Sequence, residues 1–421
     1  MKGLATFLRM FVLSALTGLF AAAVASVYKL CAHHIIHFCE SGYSFLRERP
    51  YLIHLALALL FLISHLLIKI YRRFETLKGG GIPNAVLASR GRRKLSPVLD
   101  SAGALGMSLL TFLLGVPLGN EGPCVQMGAA LGQGAAAFAK GERENKYVVS
   151  AGACAGFAAA TGAPLAGLAF CLDEIKRKPK LSMLICAAVS SIVCGAAVHT
   201  ICPLIGIEAS LLPELKLPEP SLKDIWIAAL IGLAFGIFSV LLLKFYGLLR
   251  TFYNKTLGKV SLQYKIFAVL VLSLAAGLFS ESFISTGHGL SVELLYVAKP
   301  LGFLVAALLV RTFLTLSANA NGISGGTFVP LISIGITLSA ILAVSIAAAG
   351  AEYYSLILML GTTACIAGMM KMPLVSVLFA IETFACPQYI LFIVVSAAIS
   401  YALPEILKVK SISEAVLEEK E

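Results

Sequence analysis

Apolar runs follow one another along the whole chain. They lie at about Met10–Leu30, Tyr51–Tyr71, Val98–Leu118, Cys124–Ala139, Tyr147–Leu172, Leu181–Leu204, Ile225–Tyr246, Ile266–Phe283, Leu301–Leu316, Phe328–Ala349, Tyr354–Met370, Pro373–Phe384 and Tyr389–Leu407. A straight membrane span needs about 20 apolar residues. Several of these runs are shorter, or are cut by Gly and Pro. Helices that start or stop at membrane depth are tolerated only where they line a buried site. The runs therefore point to a polytopic membrane protein built partly from broken helices. Only 13% of the residues are charged, at a mean hydropathy of +0.91, whereas soluble domains carry roughly 25%. One Trp and no long polar stretch argue against an appended soluble domain. Met1, Lys2 and Arg9 ahead of Met10–Lys29 imitate a signal peptide. No small-residue cleavage site stands out, so the run reads as a retained span.

The net charge of +11 does not read as nucleic-acid chemistry. The basic residues gather between apolar runs: Lys69, Arg72, Arg73 and Lys78; Arg90, Arg92, Arg93 and Lys94; Lys140, Arg143 and Lys146; Lys176, Arg177, Lys178 and Lys180; Lys244, Arg250, Lys255 and Lys259. Such clusters mark cytoplasmic loops. The ten cysteines contain no CxxC pair and mostly sit within apolar runs, as small buried hydrophobes do. His33, His34 and His37 form the one histidine cluster, but no carboxylate pattern completes a metal ligand set. No metal or cofactor is expected.

Gly119-Asn120-Glu121-Gly122-Pro123 lies between two of the strongest apolar runs. An ionisable side chain at membrane depth is a functional hypothesis by default. Glycines let backbone approach an ion, and proline suits a first helical turn. The stretch reads as the start of a broken helix, its free N–H groups and positive dipole facing a cavity. That end can hold an anion, or the Glu121 carboxylate in its place. The alternative is a buried glutamate that only caps a helix.

The segment Ile205–Asp224 is rich in proline and charge and reads as a linker or outer-face loop. It separates a first half at residues 1–207 from a second at 225–421, with 208–224 between them. The halves repeat. Gly79-Gly80-Gly81-Ile82 matches Gly287-His288-Gly289-Leu290. Gly119, Pro123 and Gly128 match Gly326, Pro330 and Gly335. Gly152, Pro164, Leu165, Phe170 and Asp173 match Gly361, Pro373, Leu374, Phe379 and Glu382. Three colinear blocks share an offset of about 208 residues, which marks an internal duplication. Transporters build midplane sites from the broken helices of two such halves. The sequence leaves open whether the repeats are parallel or inverted.

These blocks resemble the CLC family of anion channels and anion/proton antiporters. Gly79–Pro83 is similar to its GSGIP motif, Gly119–Pro123 to GREGP, and Gly326–Pro330 to GxFxP. Ala163–Gly167 with Asp173-Glu174 is similar to the stretch carrying its inner acidic pair. The resemblance runs from about residue 70 to about 385. It implies an all-α, inverted-repeat fold whose broken helices meet at the membrane midplane. It also implies a homodimer in a cell membrane, with one path per protomer for chloride or fluoride and for protons. By resemblance Glu121 is the gating glutamate and Glu174 the internal proton-transfer acid. Gly80, Gly81, Ile82, Gly119, Asn120, Gly122, Thr327, Phe328 and Val329 would line the anion path. Read from the sequence alone, Glu174 is equally a surface acid paired to Lys176, Arg177 or Lys178, and Asp173 is a second candidate for its role.

Three positions depart from the family pattern. Gly80 stands where a serine lends a hydroxyl to the inner anion. Asn120 replaces the arginine of GREGP. No tyrosine matches the family's central one; aligning Lys410–Ser413 there puts Ser413 in its place, with Tyr401 the nearest tyrosine. The fluoride-exporting branch departs at the same serine and arginine positions, and Asn120 and Thr327 fit it, although its substitute for serine is larger than glycine. A halide/proton antiporter is the first expectation, and a passive chloride channel without proton coupling the second. An intramembrane enzyme would need paired catalytic groups. His54, His65 and His199 have no acidic neighbour in sequence, and His288 has only Glu293, in a segment that reads as a loop.

Overall fold

The computed structural model describes residues 2–175, 179–215, 217, 219–345 and 352–420. Lys176, Arg177, Lys178, Lys216, Pro218 and the end of the run closing at Ala349 lie outside the described residues. Among the described residues the regular secondary structure is helical, with one isolated backbone bridge. The first half holds α1 (Lys2–Glu48), α2 (Ile53–Arg73), α3 (Ile82–Ser89), α4 (Leu99–Leu113), α5 (Glu121–Ala135), α6 (Glu142–Thr161), α7 (Pro164–Phe170) and α8 (Leu181–Leu204). The second holds α9 (Ile225–Thr251), α10 (Leu262–Phe279), α11 (His288–Tyr296), α12 (Leu301–Ala320), α13 (Phe328–Ser345), α14 (Glu352–Met369), α15 (Pro373–Phe384) and α16 (Ile390–Ile406). A last helix, α17 (Ile412–Lys420), follows.

Among the described residues, eight helices are long and apolar enough to cross a membrane. Their outward faces carry Leu8, Phe20, Leu62, Leu230, Leu241 and Leu309, all exposed, as lipid-facing helices require. The protein is an integral, multi-pass membrane protein. Its orientation can be measured along α1. Arg9 is held by Glu144 at 2.8 Å, among the basic loops. Lys29 donates to the Ala209 carbonyl at 2.7 Å, in the Ile205–Asp224 segment. Twenty residues of helix separate them, about 30 Å at 1.5 Å per residue, one hydrocarbon thickness. The basic face and the linker face are thus the two sides of the membrane.

Each half packs in the same way. α1 lies on α6 and α8 as α9 lies on α14 and α16; α4 on α5 as α12 on α13; α6 on α5 as α14 on α13. Side chains at matched positions then contact one another reciprocally. Asp173, just past α7, accepts the Val375 N–H of α15 at 2.8 Å. Glu382, on α15, accepts the Leu165 and Ala166 N–H groups of α7 at 2.8 and 3.0 Å. Each acid caps the other half's helix, a reciprocity that two-fold relations produce and that an inverted repeat supplies.

The tightest seam joins α5 to α6. Gly128-x-x-x-Gly132 faces Gly152-x-x-x-Gly156, and a Cβ on Gly128 or Gly152 would fall on the other's carbonyl. Small residues four apart let membrane helices approach this closely. Arg311 on α12 is fully buried. Its guanidinium donates to the carbonyls of Ser282, Ile284 and Ser285 at 3.0, 2.9 and 3.2 Å, fixing the link from α10 to α11.

One expectation changes. The segment around Glu293 reads as a loop but lies in α11. Left-handed Gly287 (φ 79°) starts it, and both the N–H and the hydroxyl of Ser291 bond the Gly287 carbonyl. Asp173 accepts the Val375 N–H and so caps α15.

Candidate functional site: converging helix tips beneath an outer cavity

Three helices begin at one place inside the protein. The first ladder donors of α3, α5 and α13 are Ala85, Cys124 and Leu331. Pro83, Pro123 and Pro330 have no N–H to lose. The N–H groups of Ile82, Asn84, Glu121, Gly122, Phe328 and Val329 therefore stand outside the helical ladders, and each tip carries the positive end of its dipole.

Backbone pairing ties the tips together. Gly119 and Gly326, matched positions of the two halves, exchange N–H···O bonds of 2.7 Å in both directions. Gly79 donates to the Gly322 carbonyl at 3.0 Å and accepts from Gly325 at 3.4 Å. A Cβ on Gly122 would fall on the Gly80 carbonyl, and one on Gly81 (φ 82°) on the Gly122 carbonyl. Only glycine permits this approach. Phe328 is wedged edge-on between Phe157 and Phe379, with centroids 5.0 and 5.8 Å away, which fixes the tip of α13.

Glu121 sits at this junction with no exposure to solvent. Its nearest donors are the backbone N–H groups of Glu121, Val329 and Asn120, yet neither carboxylate oxygen makes a hydrogen bond. Oε2 lies 2.9 Å from where a Cβ on Gly326 would stand. A buried carboxylate without partners is costly in its charged form, and such groups call for explanation.

A cavity of about 660 Å³ opens above it on the linker face, lined by Asn120 and Val329 with Lys29, His33, His37 and His288. Asn120 belongs to this outer mouth. His33 and His37 stack edge-on at 4.6 Å, and His288 bonds the Leu211 carbonyl at 2.7 Å. His65 faces Gln263, and His199 bonds the Gly162 carbonyl with Glu382 nearby. Ile205–Asp224 packs back as the rim, with Leu211 N–H on the Thr161 carbonyl at 3.0 Å.

On the basic face a second cavity, about 450 Å³, holds Glu174, Asp173, Lys371, Tyr401, Ser411 and Glu414. The Ser413 hydroxyl, on α17, bonds Glu174. Ser413 therefore meets the acid and does not stand beside Gly80, where alignment with the family's central tyrosine would put it. Glu174 lines the basic-face cavity, whereas Glu121 lies buried behind Asn120 and Val329 of the linker-face cavity. Gly80, Gly81, Ile82, Gly119, Gly122, Thr327, Phe328 and Val329 are brought together around the tips, with Thr327 closing the first turn of α13 through Leu331 N–H at 3.0 Å.

Sequence reading alone does not single out Lys29, a lone cation at the end of an apolar run. The signal that could have found it is the one by which intramembrane charge is ordinarily flagged. Nor does it single out Asn319, whose amide stands beside Gly80, because the partner that orients it is distant in sequence.

Residues 60–405 match the family model described as voltage gated chloride channel. The fold is similar to the X-ray crystal structure of a slow cyanobacterial Cl−/H+ antiporter, at TM-score 0.87 and 21% identity over 98% of each chain. It is similar to a CLC-type fluoride/proton antiporter at TM-score 0.73 and 18% identity over 94% of each chain. A eukaryotic CLC transporter is also similar, at TM-score 0.76 and 16% identity, covering 98% of this chain and 74% of that one. With its family model matched across both halves, this chain belongs to the voltage-gated chloride channel family, the CLC proteins.

Proposed function

We propose that the protein exchanges a halide, chloride or fluoride, for protons, as one of two protomers each with its own path, and that Glu121 is the group both ions use. One observation carries the reading: a fully buried carboxylate with no side-chain partner, set among the N–H groups that three helix tips leave outside their ladders. Those N–H groups suit any small anion. A charge there is costly, and the cost is removed when the carboxyl takes a proton or leaves for the outer cavity. A halide entering the vacated seat keeps the tips satisfied. Proton and anion then occupy the junction in turn, which couples their movements. The outer cavity, with Lys29 in its wall, admits the anion. Glu174, opening on the opposite face, hands the proton onward, with Ser413 holding its carboxyl. The likeness to antiporters of both halides supports exchange over passive conduction.

The test is flux from proteoliposomes loaded in turn with chloride and with fluoride, with external pH recorded. The reading requires an outward halide gradient to drive protons against their own gradient. A halide current that leaves pH untouched makes the protein a passive conduit.

A further inference from the structure

Gly80 leaves room for a side chain beside the tips. A Cβ built there meets only the Gly325 carbonyl at 3.5 Å and Asn319 Nδ2 at 3.9 Å. Both are ordinary contacts, so a side chain is accommodated there without a clash. The position adjoins the close contact between the Gly80 carbonyl and Gly122, next to the Glu121 junction. Asn319 belongs to the last turn of α12, which its own carbonyl helps to close by accepting Gly322 N–H at 2.9 Å.

The Asn319 amide is not free to turn. Buried Tyr246, on α9, donates its hydroxyl to Asn319 Oδ1 at 2.7 Å. Arg250, one turn along α9, lies 5.8 Å from the Tyr246 ring. With the oxygen engaged, Nδ2 is the end of the amide left beside residue 80. A planar amide whose acceptor end is occupied offers only donors.

We infer that Asn319 is a halide-binding residue of the inner path and Tyr246 the residue that positions it. An anion moving inward from the Glu121 seat passes Gly80, and the Asn319 Nδ2–H donors receive it there. The missing side chain at residue 80 makes the room, and the amide fills it with hydrogen-bonding capacity. The inference rests on the transport reading above, since it needs an anion on this route. A hydrogen bond to a charged group contributes enough to change affinity about ten- to hundredfold.

The experiment measures chloride and fluoride affinity by titration calorimetry on purified protein, with flux from proteoliposomes, in four proteins: the parent, Asn319→Leu, Tyr246→Phe, and Asn319→Leu with Gly80→Ser. Asn319→Leu should weaken halide binding about ten- to hundredfold. Tyr246→Phe keeps the amide but frees it, and should weaken binding several-fold. Gly80→Ser should restore most of the affinity lost in Asn319→Leu, because a hydroxyl at residue 80 enters the same space; a purely structural defect would not be restored. Parental affinity in Asn319→Leu, or a loss that Gly80→Ser leaves unrepaired, overturns the inference while leaving the transport reading intact. If Asn319→Leu does not fold, Tyr246→Phe with and without Gly80→Ser decides the matter in the same way: no loss, or a loss without repair, overturns the inference. A parent that neither binds nor moves halide overturns the transport reading itself.

Discussion

Replacing Gly326 by alanine tests the helix-tip junction with one methyl group. A Cβ there would lie 2.7 Å from Gly122 N, 2.9 Å from Glu121 Oε2 and 3.3 Å from the Gly119 carbonyl oxygen. Non-bonded heavy atoms rest near 3.5 Å, so the tips of α5 and α13 must part by roughly 0.8 Å. Gly122 N is backbone, tied in place by the mutual Gly119–Gly326 bonds, and cannot rotate aside as a side chain would. Overpacking of this kind costs about 1–3 kcal/mol. Stretching the two bridge bonds adds about 0.5–1.5 kcal/mol each where they weaken. The expected loss is therefore roughly 2–6 kcal/mol. Glu121 is the one flexible neighbour, and its carboxylate should be pushed from its seat, loosening the tie between anion and proton flux. Unfolding in detergent measures the first effect, and the proton-to-halide ratio in proteoliposomes the second. Gly247→Ala is the control: it lies within α9 with nothing inside 4 Å, so the helix should gain about 0.5–1 kcal/mol. A Gly326→Ala protein that matches Gly247→Ala in stability and keeps parental coupling would refute the reasoning.

Other substitutions reach other parts of the account. Arg311→Met leaves three buried carbonyls without donors, and should cost about 3–5 kcal/mol and greatly lower the yield of folded protein; normal yield and unfolding would contradict its role. Lys29→Gln keeps a donor for Ala209 but removes the cation from the outer cavity. Halide uptake at low ionic strength should slow several-fold, with the difference fading at high salt; a salt-independent effect would count against steering. Burial and the nearby Arg93 push the Lys420 ammonium on α17 down to about 8. Between that pH and the ordinary lysine range docked α17 holds fewer protons than undocked α17, so its docking should tighten as pH rises through the window. A fluorophore on α17 should report this, and Lys420→Met should abolish the pH dependence.

Much of the architecture is legible in the sequence for a physical reason. Broken helices must spend glycine and proline where backbones converge, so Gly119–Pro123, Gly326–Pro330 and Gly79–Pro83 announce the tips before any coordinates. Apolar run lengths announce the membrane. The reciprocal caps Asp173 and Glu382 are visible as matched positions, but not as partners, because the pairing depends on how the halves are oriented. α11 reads as a loop because it is short and its capping lies in Gly287 and Ser291 rather than in a run of apolar residues. Ser413 aligns toward the inner seat, whereas the approach of α17 brings it to Glu174. Tyr246 and Asn319 meet across 73 positions of sequence, and no local pattern encodes such a contact.

The claim that one carboxyl serves both ions is tested most directly by Glu121→Gln. Glutamine keeps the shape but carries neither the charge nor the exchangeable proton. The account predicts halide flux that continues while halide-driven proton movement disappears. Proton movement persisting at the parental rate, per halide transported, would contradict it.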